Sequence, residues 1–401
     1  MNRRVLLLLL AAIALSVYTH SMVFSEWHMP TYGNTMIHVA SARHLVEHGY
    51  YPLENDYSFG GGAPNLYVPA YRFTLAEAVF LTGADYDVIS RLFVVVFALL
   101  LPLGFFLLAQ AAFGDWEGIA AAFLASFVPD MLAYTARPLP QGLGLALLPI
   151  AFYLLLKGTR LQAMCASLVI VLVNQEVGAF FVGAAAAFFA FRAAEGYLSR
   201  RAPIIDEKAE TALYCALAGV LTYVAWHFFV MGNLGVFGLV QFSYHEGDVV
   251  DFPLLLATTG STVLALSVIG LAWLAWGLRE KRGDAELLVL AIVAVGLFAI
   301  KNDLLGIRVF MDRFIVFLDI GLIVLAALGL VALVRAADWI QEKITRATKQ
   351  QAGYETRTKN VPPDGTHSWT FMKVCARCIV PLYDAHETLT NESRMYMPTQ
   401  N

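Results

Sequence analysis

The residues of this sequence that could do chemistry are carboxylates and arginines that stand between its long apolar runs. The first long polar stretch, residues 33–71, carries Glu54 and Asp56, and Asp56 comes shortly before three consecutive glycines. A carboxylate beside a reacting group can accept or deliver a proton. We therefore take Asp56 as the main acid–base candidate, with an aspartate that caps a turn as the alternative.

Arginines near the ends of apolar runs are the second set of candidates. The guanidinium group is forked and permanently charged, so it suits a phosphate. Arg313 and Arg137 are the preferred anion-binding residues, followed by Arg308 and, more weakly, Lys301. For each of them the alternative is ordinary contact between a surface side chain and lipid headgroups.

Two further carboxylates, Glu176 and Asp319, lie at the end of an apolar run or inside one. A charged side chain in hydrocarbon costs about 3 kcal/mol on insertion scales, so it usually has a partner or a role. Asp319 is predicted to pair with a cation or with His227, and a structural pair is the preferred interpretation. The remaining polar candidates for a site are His38, Glu54 and Arg72.

The composition indicates that these residues are surrounded by a membrane. Of the 401 residues, 59% are hydrophobic and 14% are charged, whereas soluble domains contain about 25% charged residues. The mean hydropathy is +0.64. A net charge of -4 without a basic stripe excludes a nucleic-acid-binding protein. The four cysteines are too few for a disulfide framework.

The hydropathy pattern predicts an all-α polytopic membrane protein with about ten transmembrane helices, each of about 20 residues. Lysine and arginine clusters fall on one side of this arrangement. By the positive-inside rule, both termini of this multi-pass plasma-membrane protein are then cytoplasmic. The predicted spans are residues 5–24, 87–113, 116–130, 140–157, 161–174, 177–192, 210–231, 253–277, 285–300 and 310–334.

Residues 25–86 form the first extracytoplasmic loop of this topology. The apolar spacing predicts one helix over residues 33–48, ended by Gly49, and a second over residues 71–82. Two amphipathic helices joined by a glycine turn would suit a loop that lies on the outer membrane surface.

The sequence predicts a transmembrane domain, residues 1–335, followed by a polar cytoplasmic tail, residues 336–401, that is expected to be partly disordered. The first part of the tail, residues 335–350, is predicted to form an amphipathic helix on the inner leaflet. Cys375 and Cys378 have metal-ligand spacing but no second pair of ligands, so reduced thiols are the preferred interpretation.

Five motifs in order along the chain point to a family. The first outer loop contains HGYYP at residues 48–52 and DYSFGGGAP at residues 56–64. Later segments read AYTARPLPQ at residues 133–141, VNQEVGAFF at residues 173–181 and MDRFIVFLD at residues 311–319. With this topology, residues 1–335 resemble the GT-C superfamily of membrane glycosyltransferases, particularly archaeal and bacterial members that use polyprenyl-phosphate sugars.

The resemblance implies transfer of a sugar from a polyprenyl-phosphate-linked donor on the extracytoplasmic side, with inversion. Family members carry an acidic base or metal ligand within a Gly-Asp-Thr-x-x-His sequence of the first outer loop. The corresponding residues 33–38 read GNTMIH, so Asn34 occupies the acidic position. An amide cannot accept a proton at neutral pH, and this departure argues against catalysis. Asn34 and Asp56 are the two catalytic candidates that the resemblance gives.

The first outer loop also offers groups that could bind a sugar or a metal ion. Its tyrosines could stack on sugars or form an interfacial aromatic belt. His44 and His48 are spaced like metal ligands, but no third ligand shares their helix face. No cofactor is therefore assigned, and a divalent metal ion stays open.

Three function classes remain at this stage. The first is a glycosyltransferase whose partners are the lipid-linked sugar donor and membrane lipids; whether it has a protein partner stays open. The second is a non-catalytic relative that keeps the fold and binds a glycolipid or a partner, which Asn34 favours. The third is a transporter, against which stand the lack of an inverted repeat and the few charges at mid-membrane depth.

Overall fold

The computed structural model of the chain describes residues 2–26, 33–55, 63–199, 205–235, 249–277 and 283–355. It separates into two compact units, Met1–Asp338 and Trp339–Asn401. The acid–base candidate Asp56 lies outside the described residues, as do the tail cysteines.

The described chain is built almost entirely from helices. Two short 3-10 turns, Asn302–Leu305 and Asp312–Phe314, precede the last helix, and strands β1 (Glu54–Asn55) and β2 (Ala63–Pro64) pair antiparallel within the first polar loop. The helices are α1 (Arg3–Ser21), α2 (Val23–Glu26), α3 (Gly33–His48), α4 (Ala70–Thr82), α5 (Tyr86–Phe113), α6 (Asp115–Ala125), α7 (Pro129–Thr135), α8 (Pro140–Lys157), α9 (Arg160–Val173), α10 (Gln175–Leu198), α11 (Glu207–Leu234), α12 (Phe252–Thr259), α13 (Ser261–Gly277), α14 (Asp284–Ile300) and α15 (Ile315–Glu355).

Six helices of the described chain are long and apolar enough to cross a membrane, or up to eight if each of two bent helix pairs counts as one span. The pairs are α6 with α7, bent by 69°, and α12 with α13, bent by 98°. This number identifies an integral membrane protein but does not confirm the ten spans predicted from the sequence. Two of the predicted segments form α9 and α14, which have only 14 and 17 residues, short of the roughly 20 that a bilayer requires.

The core of the bundle forms around α15, whose apolar window is 83% buried. Helices in a membrane approach closely where small residues face each other. At the crossing of α13 and α15, a Cβ atom on Gly270 would overlap the carbonyl oxygen of Leu325. A Cβ atom on Gly329 would likewise overlap the carbonyl oxygen of Leu266. These two glycines therefore allow backbone contact between the helices.

Both helices predicted in the first polar loop are present. Helix α3 ends where Gly49 adopts a positive φ of 77°, and α4 ends at Gly83 with φ 65°. Glycine adopts this left-handed conformation at little cost, so it terminates helices. The position of these helices in the membrane interface stays a prediction.

Candidate functional site

A cavity of about 340 Å³ lies where the first polar loop meets the beginnings of three long helices. We call it the polar cavity. Its walls come from α3, α4 and the segment after β2, from the first turns of α8 and α10, and from the 3-10 turn before α15. The N-terminus of a helix presents unpaired N–H groups and a partial positive charge. The first turn of α8, which has no side-chain cap, favours an anion there.

Arg72 of α4 is the most constrained charge in the wall of the polar cavity, since it is only 2% exposed. Its Nε donates to Nδ1 of His38 at 3.1 Å. Its Nη1 donates to the hydroxyl of Tyr51 at 2.6 Å and to Oδ1 of Asn65 at 2.8 Å. The ring of Tyr67 lies 5.0 Å from the guanidinium carbon, within cation–π distance. The guanidinium group is therefore fixed in place before any ligand arrives.

Among the described residues, no carboxylate lies within ion-pair distance of the Arg72 guanidinium group. Its second terminal nitrogen, Nη2, makes no hydrogen bond to the described part of the chain. Buried charges are normally paired because taking an ion out of water costs several kcal/mol. Arg72 thus offers the polar cavity one positive charge and one unused donor.

His38 of α3 is a neutral donor beside this charge. Burial, with a smaller contribution from the charge of Arg72, lowers the pKa of His38 well below its usual range. Because Nδ1 accepts the bond from Arg72, the neutral ring carries its proton on Nε2. His38 lines the polar cavity and packs against the edges of Tyr67 and Tyr71, with ring centroids 4.9 and 5.7 Å away.

Asn174 joins the first polar loop to the start of α10. Its Oδ1 accepts hydrogen bonds from the backbone N–H groups of Glu176 and Val177 at 3.0 and 2.9 Å, which caps the helix. Its Nδ2 donates to the hydroxyl of Tyr67 at 3.0 Å. Burial, followed by the nearby carboxylate of Glu176, raises the pKa of Tyr67. The phenol therefore keeps its proton and remains a donor.

Glu176 and Arg313 complete the charged lining of the polar cavity. Arg313 lies over the ring of Phe310 with its guanidinium carbon 5.1 Å from the ring centroid. A divalent cation requires several oxygen ligands, whereas the described lining offers one carboxylate facing two guanidinium groups. Within the described ranges, no group of three or more His, Cys, Asp or Glu residues could hold a metal ion. The lining present suits an anion.

Four of the residues selected from the sequence thus meet at one cavity: His38, Arg72, Glu176 and Arg313. Asn34 lies in the first turn of α3, but its side chain is outside the described structure. The functional roles of all these residues remain predictions.

Arg137 lies close to the polar cavity but not in its described lining. Its guanidinium carbon is 5.7 Å from the ring centroid of Tyr134, and it interacts electrostatically with Asp130. The next residue, Pro138, accepts a 2.6 Å hydrogen bond from the hydroxyl of Tyr71 through its carbonyl oxygen. Asp130, a carboxylate in the first turn of the short helix α7, is not among the candidates from the sequence.

The remaining cationic candidates lie elsewhere in the described structure. Lys301 contacts Asp303 at 3.5 Å and donates to the carbonyl oxygen of Val250 at 3.3 Å. Arg308 is exposed, in a left-handed backbone conformation with φ 50°.

The partner of Asp319 differs from the one expected. Asp319 is fully buried, and its Oδ1 accepts a 2.6 Å hydrogen bond from the hydroxyl of Thr259. His227 instead contacts the carbonyl oxygen of Tyr223 through Nδ1 at 2.9 Å. Thr259 is the last residue of α12, before the 98° bend. Asp319 therefore joins α15 to a helix break through Oδ1, while its Oδ2 is buried without a partner in the described structure.

No family model and no curated protein matches the sequence. Solved structures nevertheless share its fold. The oligosaccharyltransferase AglB from Archaeoglobus fulgidus, in complex with an inhibitory peptide and a dolichol-phosphate, gives a TM-score of 0.62 at 12% identity. The alignment covers 100% of this chain and 56% of AglB.

Two further structures agree. The same oligosaccharyltransferase tethered with an acceptor peptide gives a TM-score of 0.60 at 12% identity over 84% of this chain and 50% of its own. ArnT from Cupriavidus metallidurans bound to undecaprenyl phosphate gives 0.56 at 16% identity over 89% of this chain and 66% of its own.

The GT-C resemblance seen in the sequence is thereby confirmed as a likeness of fold. The chain spans about half the length of the oligosaccharyltransferase that it matches, between 50% and 56% in the two alignments.

Proposed function

We propose that this chain is a membrane glycosyltransferase that moves a sugar from a polyprenyl-phosphate-linked donor to an acceptor on the extracytoplasmic face of the membrane. Two solved structures that share its fold contain dolichol-phosphate or undecaprenyl phosphate. Several long apolar helices place the chain in a membrane, where a polyprenyl lipid resides. The polar cavity is the binding site for the phosphate group of the donor.

The observation that carries the proposal is the buried guanidinium of Arg72. It has no carboxylate partner among the described residues, and it lines a cavity that also holds Arg313 and the uncapped first turn of α8. A phosphate would supply the missing negative charge. Arginine forms short, charge-assisted hydrogen bonds with phosphate oxygens, and Nη2 of Arg72 is free to make one.

The same arrangement supports the chemistry of transfer. The bond between the sugar carbon and the phosphate oxygen breaks, and a new bond forms between that carbon and the acceptor oxygen. Negative charge then develops on the leaving phosphate, where Arg72 and Arg313 stabilise it. Donors that are already fixed stabilise such charge without rearranging during the reaction. The acceptor's proton goes to a carboxylate, and Glu176 is the described carboxylate in the cavity.

The experiment that tests the proposal is sugar transfer by the purified full chain in lipid nanodiscs. The donors are radiolabelled hexoses and pentoses on undecaprenyl phosphate and dolichyl phosphate, offered with a membrane extract as acceptor source. We expect transfer by the wild type, at least tenfold less by Glu176→Gln, and unchanged transfer by Arg160→Ala. Arg160 pairs with Glu210 beyond the far end of α8 and is the matched control. Equal transfer by the wild type and Glu176→Gln would remove Glu176 from the mechanism.

The second candidate is a non-catalytic protein that binds a glycolipid, and the observation that favours it is the amide of Asn34, at the position where the GT-C resemblance implies an acid. Such a protein would bind polyprenyl phosphate through the polar cavity but release no sugar from any donor. Lipid binding without transfer in the nanodisc assay would favour this candidate over the enzyme.

The proposed orientation places the polar cavity outside the cell and both termini inside. In a cysteine-free background, a single cysteine at Ser58 should react with an impermeant maleimide added to intact cells. A cysteine at Gly283 should react only after the cells are opened. The reverse pattern would put the cavity on the cytoplasmic side and contradict extracytoplasmic transfer.

A further inference from the structure

A second cavity of about 500 Å³ opens beside the polar cavity. We call it the aromatic cavity. Its walls come from the end of α3, from residues 50–54 and from the end of α11. Its volume lies within the usual range for small-molecule sites, about 300–1,000 Å³. Tyr51 lines it, and the hydroxyl of Tyr51 accepts a hydrogen bond from Arg72 of the polar cavity. Tyr51 therefore lines the aromatic cavity and contacts a residue that lines the polar cavity.

Two rings that line the aromatic cavity, Tyr51 and Phe229, are held by contacts with other aromatic rings. Tyr51 lies parallel to Phe73 with centroids 5.6 Å apart and meets the edge of Trp226 at 5.5 Å. Phe229 in turn stacks on Trp226 at 5.8 Å. The indole N–H of Trp226 donates to the carbonyl oxygen of Leu66 at 3.2 Å, which holds α11 against the first polar loop. These contacts order Tyr51 and Phe229 in the absence of a ligand.

The end of α3 and the residue after Gly49 supply rings with polar edges. His44 and His48 stack with centroids 4.3 Å apart, and Tyr50 meets the edge of His44 at 4.9 Å. Gly49, with its positive φ, turns the chain so that Tyr50 follows α3 directly. Tyr50 is 59% exposed although it is a large ring. An ordered and exposed ring offers a face on which another molecule can stack.

A carboxylate lies at the same cavity. Glu54 lines it, and the pairing of β1 with β2 sets the backbone of Glu54 opposite Pro64. Glu54 is exposed, and its carboxylate forms no ion pair with any of the described residues. Aromatic faces with one carboxylate match a sugar ring, whose C–H face packs on an aromatic ring while its hydroxyls donate to the carboxylate. A prenyl chain would instead require a long aliphatic lining, and the described aliphatic lining consists of Pro52, Leu53 and Leu234.

We propose that the aromatic cavity binds a sugar ring of the acceptor, with the ring stacked on Tyr50 and its hydroxyls donating to Glu54. This inference rests on the proposed glycosyl transfer, because the bound sugar is an acceptor only if the polar cavity beside it binds the donor phosphate. Tyr51 then separates the two substrates. Its ring faces the acceptor sugar, and its hydroxyl holds the guanidinium that contacts the donor. The acceptor is accordingly a carbohydrate or a glycoconjugate that ends in a sugar.

Sugar binding can be measured without any transfer. The full chain in nanodiscs is examined by saturation-transfer difference NMR with the methyl glycosides of glucose, galactose, mannose, N-acetylglucosamine and glucuronic acid. We expect at least one glycoside to bind the wild type. Tyr50→Ala should weaken that binding by about three- to tenfold, the usual contribution of an aromatic stack. Glu54→Gln should weaken it as well, since the charge that strengthens these hydrogen bonds is removed.

The matched control is Tyr197→Ala, which removes a similarly exposed tyrosine, 72% exposed, near the C-terminal end of α10, away from the aromatic cavity. Glycoside binding equal in wild type and Tyr50→Ala would overturn the proposal, as would no binding of any glycoside. If decanol displaces the glycoside, and Tyr50→Ala weakens decanol binding as much as glycoside binding, the cavity is a groove for a lipid chain. That result would also overturn the proposal. If Tyr50→Ala weakens glycoside binding but the wild type transfers no sugar from any donor, the sugar site is supported. That result would count only against the proposed glycosyl transfer.

Discussion

Replacing Arg72 with glutamine should weaken phosphate binding strongly while leaving the fold almost as stable as before. The side chain is 2% exposed and makes three hydrogen bonds, to His38, Tyr51 and Asn65. Removing it loses bonds that are worth about 1.5–3 kcal/mol each to a charged group. It also removes the desolvation cost of a buried ion, which is several kcal/mol.

These two terms oppose each other and are of similar size. Glutamine can also restore one of the lost hydrogen bonds, because its amide N–H₂ can donate to Asn65 or His38. We therefore expect the free energy of unfolding to change by about 2 kcal/mol or less in either direction. An arginine whose charge serves the fold would have a carboxylate partner, and its loss would cost about 3–5 kcal/mol.

Phosphate binding responds differently, because the substitution removes attraction to the phosphate and nothing in the variant compensates for that loss. The variant loses the positive charge and the free Nη2 donor of Arg72, which together should cost about 2–3 kcal/mol of binding free energy. This corresponds to an affinity for the lipid phosphate that is about 30- to 150-fold weaker. The control is Arg160→Ala, which removes an arginine that is distant from the polar cavity and already paired with Glu210.

The assay pairs two measurements on the same nanodisc preparation. Binding of radiolabelled undecaprenyl phosphate gives the affinity, and thermal unfolding followed by tryptophan fluorescence gives the stability. A large loss of stability with unchanged affinity in the protein that remains folded would refute the argument. In that case Arg72 would serve the structure, and the phosphate would bind elsewhere.

Three further variants test other parts of the cavity. Arg313→Ala should weaken lipid-phosphate binding by about 2 kcal/mol, and Arg313→Lys should recover only part of it because lysine lacks the fork; equal affinities in equilibrium binding would remove Arg313 from the site. Asn34→Asp should raise sugar transfer if the wild type lacks a general base, since such a base contributes about 10²–10⁴-fold. If Asp56 already acts as the base, Asn34→Asp should change little and Asp56→Asn should abolish transfer. Transfer rates unchanged in both variants would exclude both residues. His38→Gln should abolish part of the acid sensitivity of folding. The lowered pKa of His38 means that only the unfolded chain takes up its proton below about pH 6.5, so its contribution is complete above that pH and is lost as the pH falls; unfolding curves at pH 7.5 and 5.5 that shift equally in wild type and variant would contradict this.

The sequence predicted the helices of the site well because their boundaries depend on local residues. Helix α3 runs from Gly33 to His48 and ends at Gly49, as its apolar spacing and its glycine indicated. The span count was less well predicted. The hydropathy of residues 116–130 and 253–277 suggested single spans, but the structure bends both segments sharply. Hydropathy averages over a window and does not detect a bend.

Only some residues of the polar cavity can be predicted from the sequence. Charged residues such as Arg72, Glu176 and Arg313 are conspicuous in an apolar chain, so the sequence alone indicates them as candidates. Asn65 and Asn174 were not selected, although each positions a functional group, the first through Arg72 and the second through Tyr67. Their roles arise from contacts between distant parts of the chain, and spacing along the sequence does not reveal them. The same limit applies to Asp319, whose partner Thr259 is 60 positions away.

The central claim is that the polar cavity holds the phosphate of a polyprenyl lipid. It is tested most directly by an electron cryomicroscopy structure of the full chain in nanodiscs with undecaprenyl phosphate. The account predicts phosphate density within hydrogen-bond distance, about 2.7–2.9 Å, of Nη2 of Arg72 and of the guanidinium of Arg313. Phosphate density elsewhere on the protein, with the polar cavity filled only by water, would contradict it.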